Sequence, residues 1–280
     1  FRFLRSMRNT YYILLCVATV ILASCQKDLD IDYNDIEPFY VIQGEITDSP
    51  AKVLLTKTRN VDDGNKGKGL GDAEIVLKDD MGKSETLRFE SDGYYHSPSG
   101  WKGETGRTYT LNVKLDGKEY RASSTMMPEV KLDSIQFVWL SSAGMKMLLL
   151  KYFNTFPKGE EQKYTYFLVK KNGNFYRNYT TKQVNSMFLH GANLVGCTTQ
   201  QVMEEDEPEK QDAILHEGDK VHCELWSIDE TMYNYFTTLE NGQQNATNPI
   251  SNFNSGVSGY FSAHHANVID LTFSMKNIIE

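Results

Sequence analysis

The chain has 280 residues and a formal net charge of −8, enough length for one large or two ordinary domains. The acidic balance repels nucleic acid and anionic lipid, so no nucleic-acid partner is expected. Its four cysteines, Cys16, Cys25, Cys197 and Cys223, show no CxxC or Cys/His spacing that suggests zinc, and no metal or cofactor is expected.

At the beginning of the chain Arg2, Arg5 and Arg8 precede an apolar run over residues 11–23, the order of a secretory signal, with Met7 the expected initiator. The run falls short of the roughly 20 residues that an α-helix needs to cross a hydrocarbon core, so residues 1–24 read as a signal peptide and not a permanent span. It closes on Leu22-Ala23-Ser24-Cys25, which resembles the lipobox read by the bacterial lipoprotein maturation machinery. The resemblance implies that Cys25 is lipidated and becomes the first residue of the mature chain. Each buried methylene contributes about 0.8 kcal/mol, and a single acyl chain binds only reversibly, so stable anchoring takes more than one. Gln26-Lys27-Asp28-Leu29-Asp30 is similar to the Lys-Asp-rich export signal that carries lipoproteins of Bacteroidota to the outer leaflet of the outer membrane; the plain alternative is a charged tether. Cleavage after residue 24 removes three arginines and no acid, leaving 26 basic against 37 acidic side chains and a net charge of −11. Residues 25–38, acidic and poor in core side chains, are the expected tether.

Strands are predicted over 40–46, 51–57, 73–78, 85–90, 108–115 and 118–126, each partly alternating between apolar and polar residues. Asp80-Met81-Gly82, Ser91-Asp92-Gly93 and Asp116-Gly117 punctuate them as turns, and this spacing predicts an antiparallel sandwich. The loop over 61–71 holds Asp62-Asp63-Gly64-Asn65 and Gly67, Gly69 and Gly71. A strand follows it where a phosphate cradle needs a helix, and it lacks the oxygen ligands of a calcium loop, so it reads as a plain loop. After Pro128 a second set of strands is predicted over 132–140, 145–153, 164–171, 174–181 and 220–228, with Asn172-Gly173 a hairpin turn. The weakly patterned stretch before the last of these includes Glu204-Glu205-Asp206-Glu207, read as solvated loop. One helix is predicted over 229–241, capped by Asp229 and stopped by Gly242, with Met232, Tyr235, Phe236 and Leu239 forming an apolar stripe. A final strand is predicted over 267–273.

Catalytic motifs are thin: there is no Gly-x-Ser-x-Gly elbow, His-Glu-x-x-His helix or phosphate loop. His264 and His265 are adjacent in a strand and so point to opposite faces, unable to chelate one ion readily. His190, His216 and His222 are scattered, and no spacing singles out two carboxylates as a glycosidase-like pair. Phe175, Tyr176 and Tyr179 share one hairpin and could form a platform that stacks on sugars or peptides, while core packing accounts for most aromatics, Trp101, Trp139 and Trp226 among them. Cys197 and Cys223 allow two readings. In an oxidising envelope they could form a disulfide contributing on the order of 3 kcal/mol, or they could be two buried free thiols.

Taken in order, Tyr40-Val-Ile-Gln-Gly-Glu-Ile-Thr-Asp, Val53-Leu-Leu-Thr-Lys-Thr, Ala73-Glu-Ile-Val-Leu, Asp92-Gly-Tyr-Tyr, Gly106-Arg-Thr-Tyr-Thr-Leu and Gly259-Tyr-Phe-Ser-Ala resemble a Bacteroidota outer-membrane lipoprotein family of unknown function. The resemblance implies a mainly β fold. An Ig-like or transthyretin-like β-sandwich of the carboxypeptidase-regulatory kind would span 39–128, followed over 129–280 by a second β-rich domain with one short helix. It also implies a TonB-dependent outer-membrane receptor as partner and an accessory role in nutrient uptake, and it carries no catalytic residues. Asp133-Ser134-Ile135 is similar to the acceptor used for O-glycosylation in that phylum, making Ser134 a candidate attachment site, with chance occurrence the alternative. The expectation is therefore a non-enzymatic, lipid-anchored protein at the cell surface that binds an unknown ligand or docks on a receptor. The rivals are an envelope hydrolase with an unassigned carboxylate pair and an adhesion or scaffold lipoprotein.

Overall fold

The computed structural model describes residues 39–58, 68–142, 145–158, 164–182, 192–197, 214–245, 248–254 and 256–279. The signal segment, Cys25, the tether, Asp62-Asp63, His190 and the acidic run 204–207 lie outside the described residues. The described residues belong to one compact unit spanning Pro38–Glu280. Its architecture is mainly β, with several sheets and a single helix of any length among the described residues.

The first half supplies β1 (Tyr40–Ile46), β2 (Lys52–Lys57), β3 (Lys68–Gly69), β4 (Glu74–Asp79), β5 (Ser84–Thr86), β6 (Arg88–Phe89), β7 (Tyr94–His96), β8 (Thr108–Leu115) and β9 (Lys118–Thr125). One sheet of this half contains β1-β2-β7-β6 with β3 on β2, and the other runs β5-β4-β8-β9. The period-two pattern decides which side chains go inside. Tyr109, Leu111, Val113 and Leu115 of β8 face the same interior as Ile42, Ile46, Val53 and Leu55 from the opposite sheet, and all eight are buried.

The second half supplies β10 (Lys131–Ser142), β11 (Met145–Thr155), β12 (Tyr164–Lys171), β13 (Asn174–Lys182), β14 (Ala192–Cys197), β15 (Lys220–Ile228), α1 (Glu230–Asn245), β16 (Ser258–Ala263) and β17 (His265–Thr272), then a 3-10 turn at Met275–Asn277. A three-stranded sheet runs β10-β11-β14 and a four-stranded sheet β13-β12-β15-β17. Leu148, Leu150 and Tyr152 meet Phe167, Val169 and Leu225 between them. The four-stranded sheet is covered on both faces at one end, which is why β12 reads as Tyr164-Thr-Tyr-Phe with every residue buried.

The chain crosses from the first pair of sheets to the second between β9 and β10, and β16 returns. It hydrogen-bonds to β1 in parallel, Val41 opposite Ser258 through Ile46 opposite Ala263. Gly259 sits at φ 102°, and a Cβ there would lie 2.0 Å from the Ile42 carbonyl oxygen, so this close approach requires glycine. Directly after Ala263, at His264, the chain leaves the first sheet, and β17 pairs with β15 in the second. A division at 128/129 thus assigns β16 to the second set of strands, whereas its hydrogen bonds place it in the first sheet. Among the described residues no helix is long and apolar enough to cross a membrane.

Candidate functional site

The outer face of the sheet β13-β12-β15-β17 is divided between a covered half and an open half. α1 covers the first. Asp229 caps it by accepting a hydrogen bond from the Met232 amide at 2.9 Å, and its other oxygen accepts from Ser124 Oγ and the Thr125 amide of β9. The predicted stripe packs down, with Met232, Tyr235 and Phe236 buried and Leu239 partly so. Phe236 stacks on Tyr166 at 3.8 Å between ring centroids, and Trp226 stacks on His264 at 4.1 Å. The helix runs through Gly242, predicted as its stop, to Asn245; Gly242 is buried within the helix instead of ending it.

The open half lies beyond the helix, and strand periodicity decides what it shows. Val221, Cys223 and Leu225 of β15 point into the core, so His222 and Glu224 point out, in line with Trp226. Lys170 of β12 stands opposite His222, and His222 opposite Asp270 of β17. Glu224 Oε1 accepts from Lys170 Nζ at 2.6 Å and lies 2.9 Å from His222 Nε2, while Oε2 accepts from Trp226 Nε1 at 2.8 Å. Burial alone would raise the Glu224 carboxyl, but these hydrogen bonds and the Lys170 charge outweigh it and hold the group below the usual range. His222 Nδ1 lies 2.7 Å from Asp270 Oδ1. Lys220 Nζ donates to Thr272 Oγ1 at 2.8 Å. Lys170, Lys220, His222, Asp270 and Thr272, with Gly173, Val221 and Leu271, line an open concavity of ≈ 640 Å³. The hairpin wall beside it turns at Asn172 (φ 50°) and Gly173 (φ 84°), the pair of positive φ values that a two-residue turn of this hand needs.

This arrangement presents hydrogen-bonding groups on an open sheet face. Both nitrogens of His222 lie within hydrogen-bond distance of carboxylate oxygens, so a substrate reaching the ring would have to displace one of these contacts. The same carboxylates sit on opposite edges of one imidazole and cannot join it around a single ion, and among the described residues no group of three or more His, Cys, Asp or Glu could hold a metal. A glycosidase acid needs a raised carboxyl pKa, and Glu224 is shifted the other way.

The remaining sequence candidates fall elsewhere. Contrary to prediction, His264 and His265 do not share a strand, since His264 falls between β16 and β17, and they have separate partners: His264 is buried with Nδ1 2.8 Å from Ser262 Oγ, and His265 is held by Asp48 and Thr105. The His216 amide donates to Asp219 in a turn. Cys197 and Cys223 are both buried free thiols; burial pushes Cys197 up to about 11 and Cys223 higher, with Cys197 adding to the rise. The disulfide reading of this pair is thus not what the structure contains. The apolar core around both sulfurs disfavours the thiolate that exchange requires. Ser134 is half-buried opposite Phe153, next to a register shift in β10, and its neighbour Asp133 accepts from Thr155 Oγ1. Of the aromatic platform, Tyr176 belongs to the core while Phe175 and Tyr179 are 61% and 41% exposed; Trp101 and Trp226 are core, and Trp139 packs against it. Sequence reasoning missed the set Lys170, His222, Glu224 and Asp270. Its one local signal is the polar His-x-Glu alternation inside an otherwise apolar strand.

A model described as Domain of unknown function (DUF4249) matches residues 26–268. The chain belongs to the DUF4249 family. The DUF4249 match starts at the residue after Cys25 and takes in Lys170, His222 and Glu224, ending within β17 just before Asp270. No curated protein matches the chain.

Proposed function

We propose that this DUF4249 protein is an outer-membrane lipoprotein, tethered through Cys25 at the cell surface, that acts as a non-enzymatic binding component of a TonB-dependent nutrient-uptake system. The observation that carries the binding part is the open half of the β13-β12-β15-β17 face, a concavity where Lys170, Lys220, His222, Asp270 and Thr272 stand beside Val221 and Leu271. A surface of this kind offers directional polar contacts beside apolar ones on a rigid sheet, the mixture a binding site uses. Two further features support the envelope part: the Leu22-Ala23-Ser24-Cys25 sequence, and a family match that begins directly after it.

The test is recovery of the tagged protein from detergent-solubilised native membranes. The reading expects a TonB-dependent receptor to come with it in stoichiometric amount, and ligand binding by the purified protein without turnover. Recovery always without a receptor would overturn the uptake role. Product release that vanishes on replacing Glu224 or Asp270 would favour a hydrolase instead.

A further inference from the structure

Four side chains stand in one row across the open half of the sheet. Phe175 on β13 is directly opposite Lys170 on β12, Lys170 opposite His222 on β15, and His222 opposite Asp270 on β17. Directly opposed residues share a face, and three strand spacings of 4.7–4.9 Å make the row about 14 Å long. Phe175 and Tyr176 alternate across β13, so that Tyr176 lies in the core while Phe175 is 61% exposed and belongs to none of the buried clusters.

Lys170 is paired with Glu224, and the two lysines and two carboxylates of the site, Lys170, Lys220, Glu224 and Asp270, balance in formal charge. A ligand of either net charge therefore gains no net attraction from the set, whereas a neutral molecule rich in hydroxyls can use its hydrogen-bonding groups. Lys170 and Lys220 each use one ammonium proton in a hydrogen bond, to Glu224 and Thr272, which leaves donors over, and Asp270 is 75% exposed with only its Oδ1 engaged. The exposed ring of Phe175 adds an electron-rich face that suits the C–H face of a sugar ring. A peptide adding as a strand would need a free sheet edge, whereas this row lies on a sheet face.

We propose that the row Phe175–Lys170–His222–Asp270 binds a neutral saccharide, one ring stacked on Phe175 and the hydroxyls of an adjoining unit held by Lys170, Asp270 and Lys220. The proposal deepens the binding-module reading and rests on it. Native affinity electrophoresis of the detergent-solubilised protein tests it, through gels containing a neutral α-glucan, a β-glucan or a galactomannan, with polygalacturonate in parallel. Retardation is expected in at least one neutral gel and not in polygalacturonate. Phe175→Ala is expected to weaken it by about tenfold. Asp270→Asn should weaken it as well, while Leu140→Ala on the other sheet keeps it, and unchanged circular dichroism shows that each variant is folded. No retardation in any neutral gel, or retardation indifferent to both site variants, would overturn the proposal. Saturable binding of a peptide or an anionic ligand, lost in Asp270→Asn, would overturn the saccharide assignment and leave the binding module standing.

Discussion

His264 is the single residue between β16 and β17, 1% exposed, stacked on Trp226 and hydrogen-bonded to Ser262. Burial pushes its imidazole from the ordinary 6.5 down to about 4, with Lys52 adding to the fall and Glu45, Glu224 and Asp48 opposing it. The folded protein therefore keeps a neutral ring at pH values where the unfolded chain takes up a proton, so stability falls as pH drops from 6.5 toward 4. At about 1.4 kcal/mol per tenfold change in protonation, the loss attributable to this one residue by pH 5 is about 2 kcal/mol. Denaturant midpoints of the wild type and His264→Phe, which keeps a ring against Trp226, are predicted to separate accordingly, the variant losing less between pH 7 and pH 5. Equal losses would show that another group governs the acid side.

At the scale of elements, α1 depends on the residue that precedes it more than on its propensity, because Asp229 both caps the helix and ties it to β9. Asp229→Ala leaves the Met232 and Thr125 amides and the Ser124 hydroxyl without their acceptor, and a loss of about 2 kcal/mol or more is expected in urea unfolding. A change within 0.5 kcal/mol, the range typical of surface sites, would contradict the stapling role.

The same elements show what was legible in the sequence. β8, β12 and β15 coincide with the predicted segments: β8 buries one strict face, β12 and β15 are apolar enough to be buried on both faces at one end, and each ends at a Gly turn or a helix cap. β14 was not legible: Ala-Asn-Leu-Val-Gly-Cys is short, and Gly196 supplies no side chain to mark a face. The segment 85–90 reads as one strand but forms two, β5 and β6. Between them Leu87 is buried and its amide bonds to Ile75, while β5 and β6 pair in different sheets. The candidate site was illegible for another reason. Phe175, Lys170, His222 and Asp270 come from four strands, and only the register of three strand pairs brings them into one row.

At the scale of the whole molecule, two β-layered halves are joined by more than the chain between β9 and β10. β16 lies in the first sheet and feeds β17 of the second. Ser124 Oγ accepts from the Ala263 amide, and Ser227 Oγ from the Val130 amide. Tyr260 donates to Glu45 across the covered aromatic cluster. Such a junction makes a rigid frame on which the open sheet face keeps its geometry without ligand, the preorganisation that limits the entropic cost of binding. The proposed uptake role requires such a frame to be held where ligand and receptor meet, and the proposal gives that role to a lipidated Cys25. Intact-mass analysis of the native polypeptide recovered from membranes tests this most directly. The account predicts a chain beginning at residue 25 and carrying multiple acyl chains; an unmodified Cys25, or residues 1–24 still attached, would contradict it.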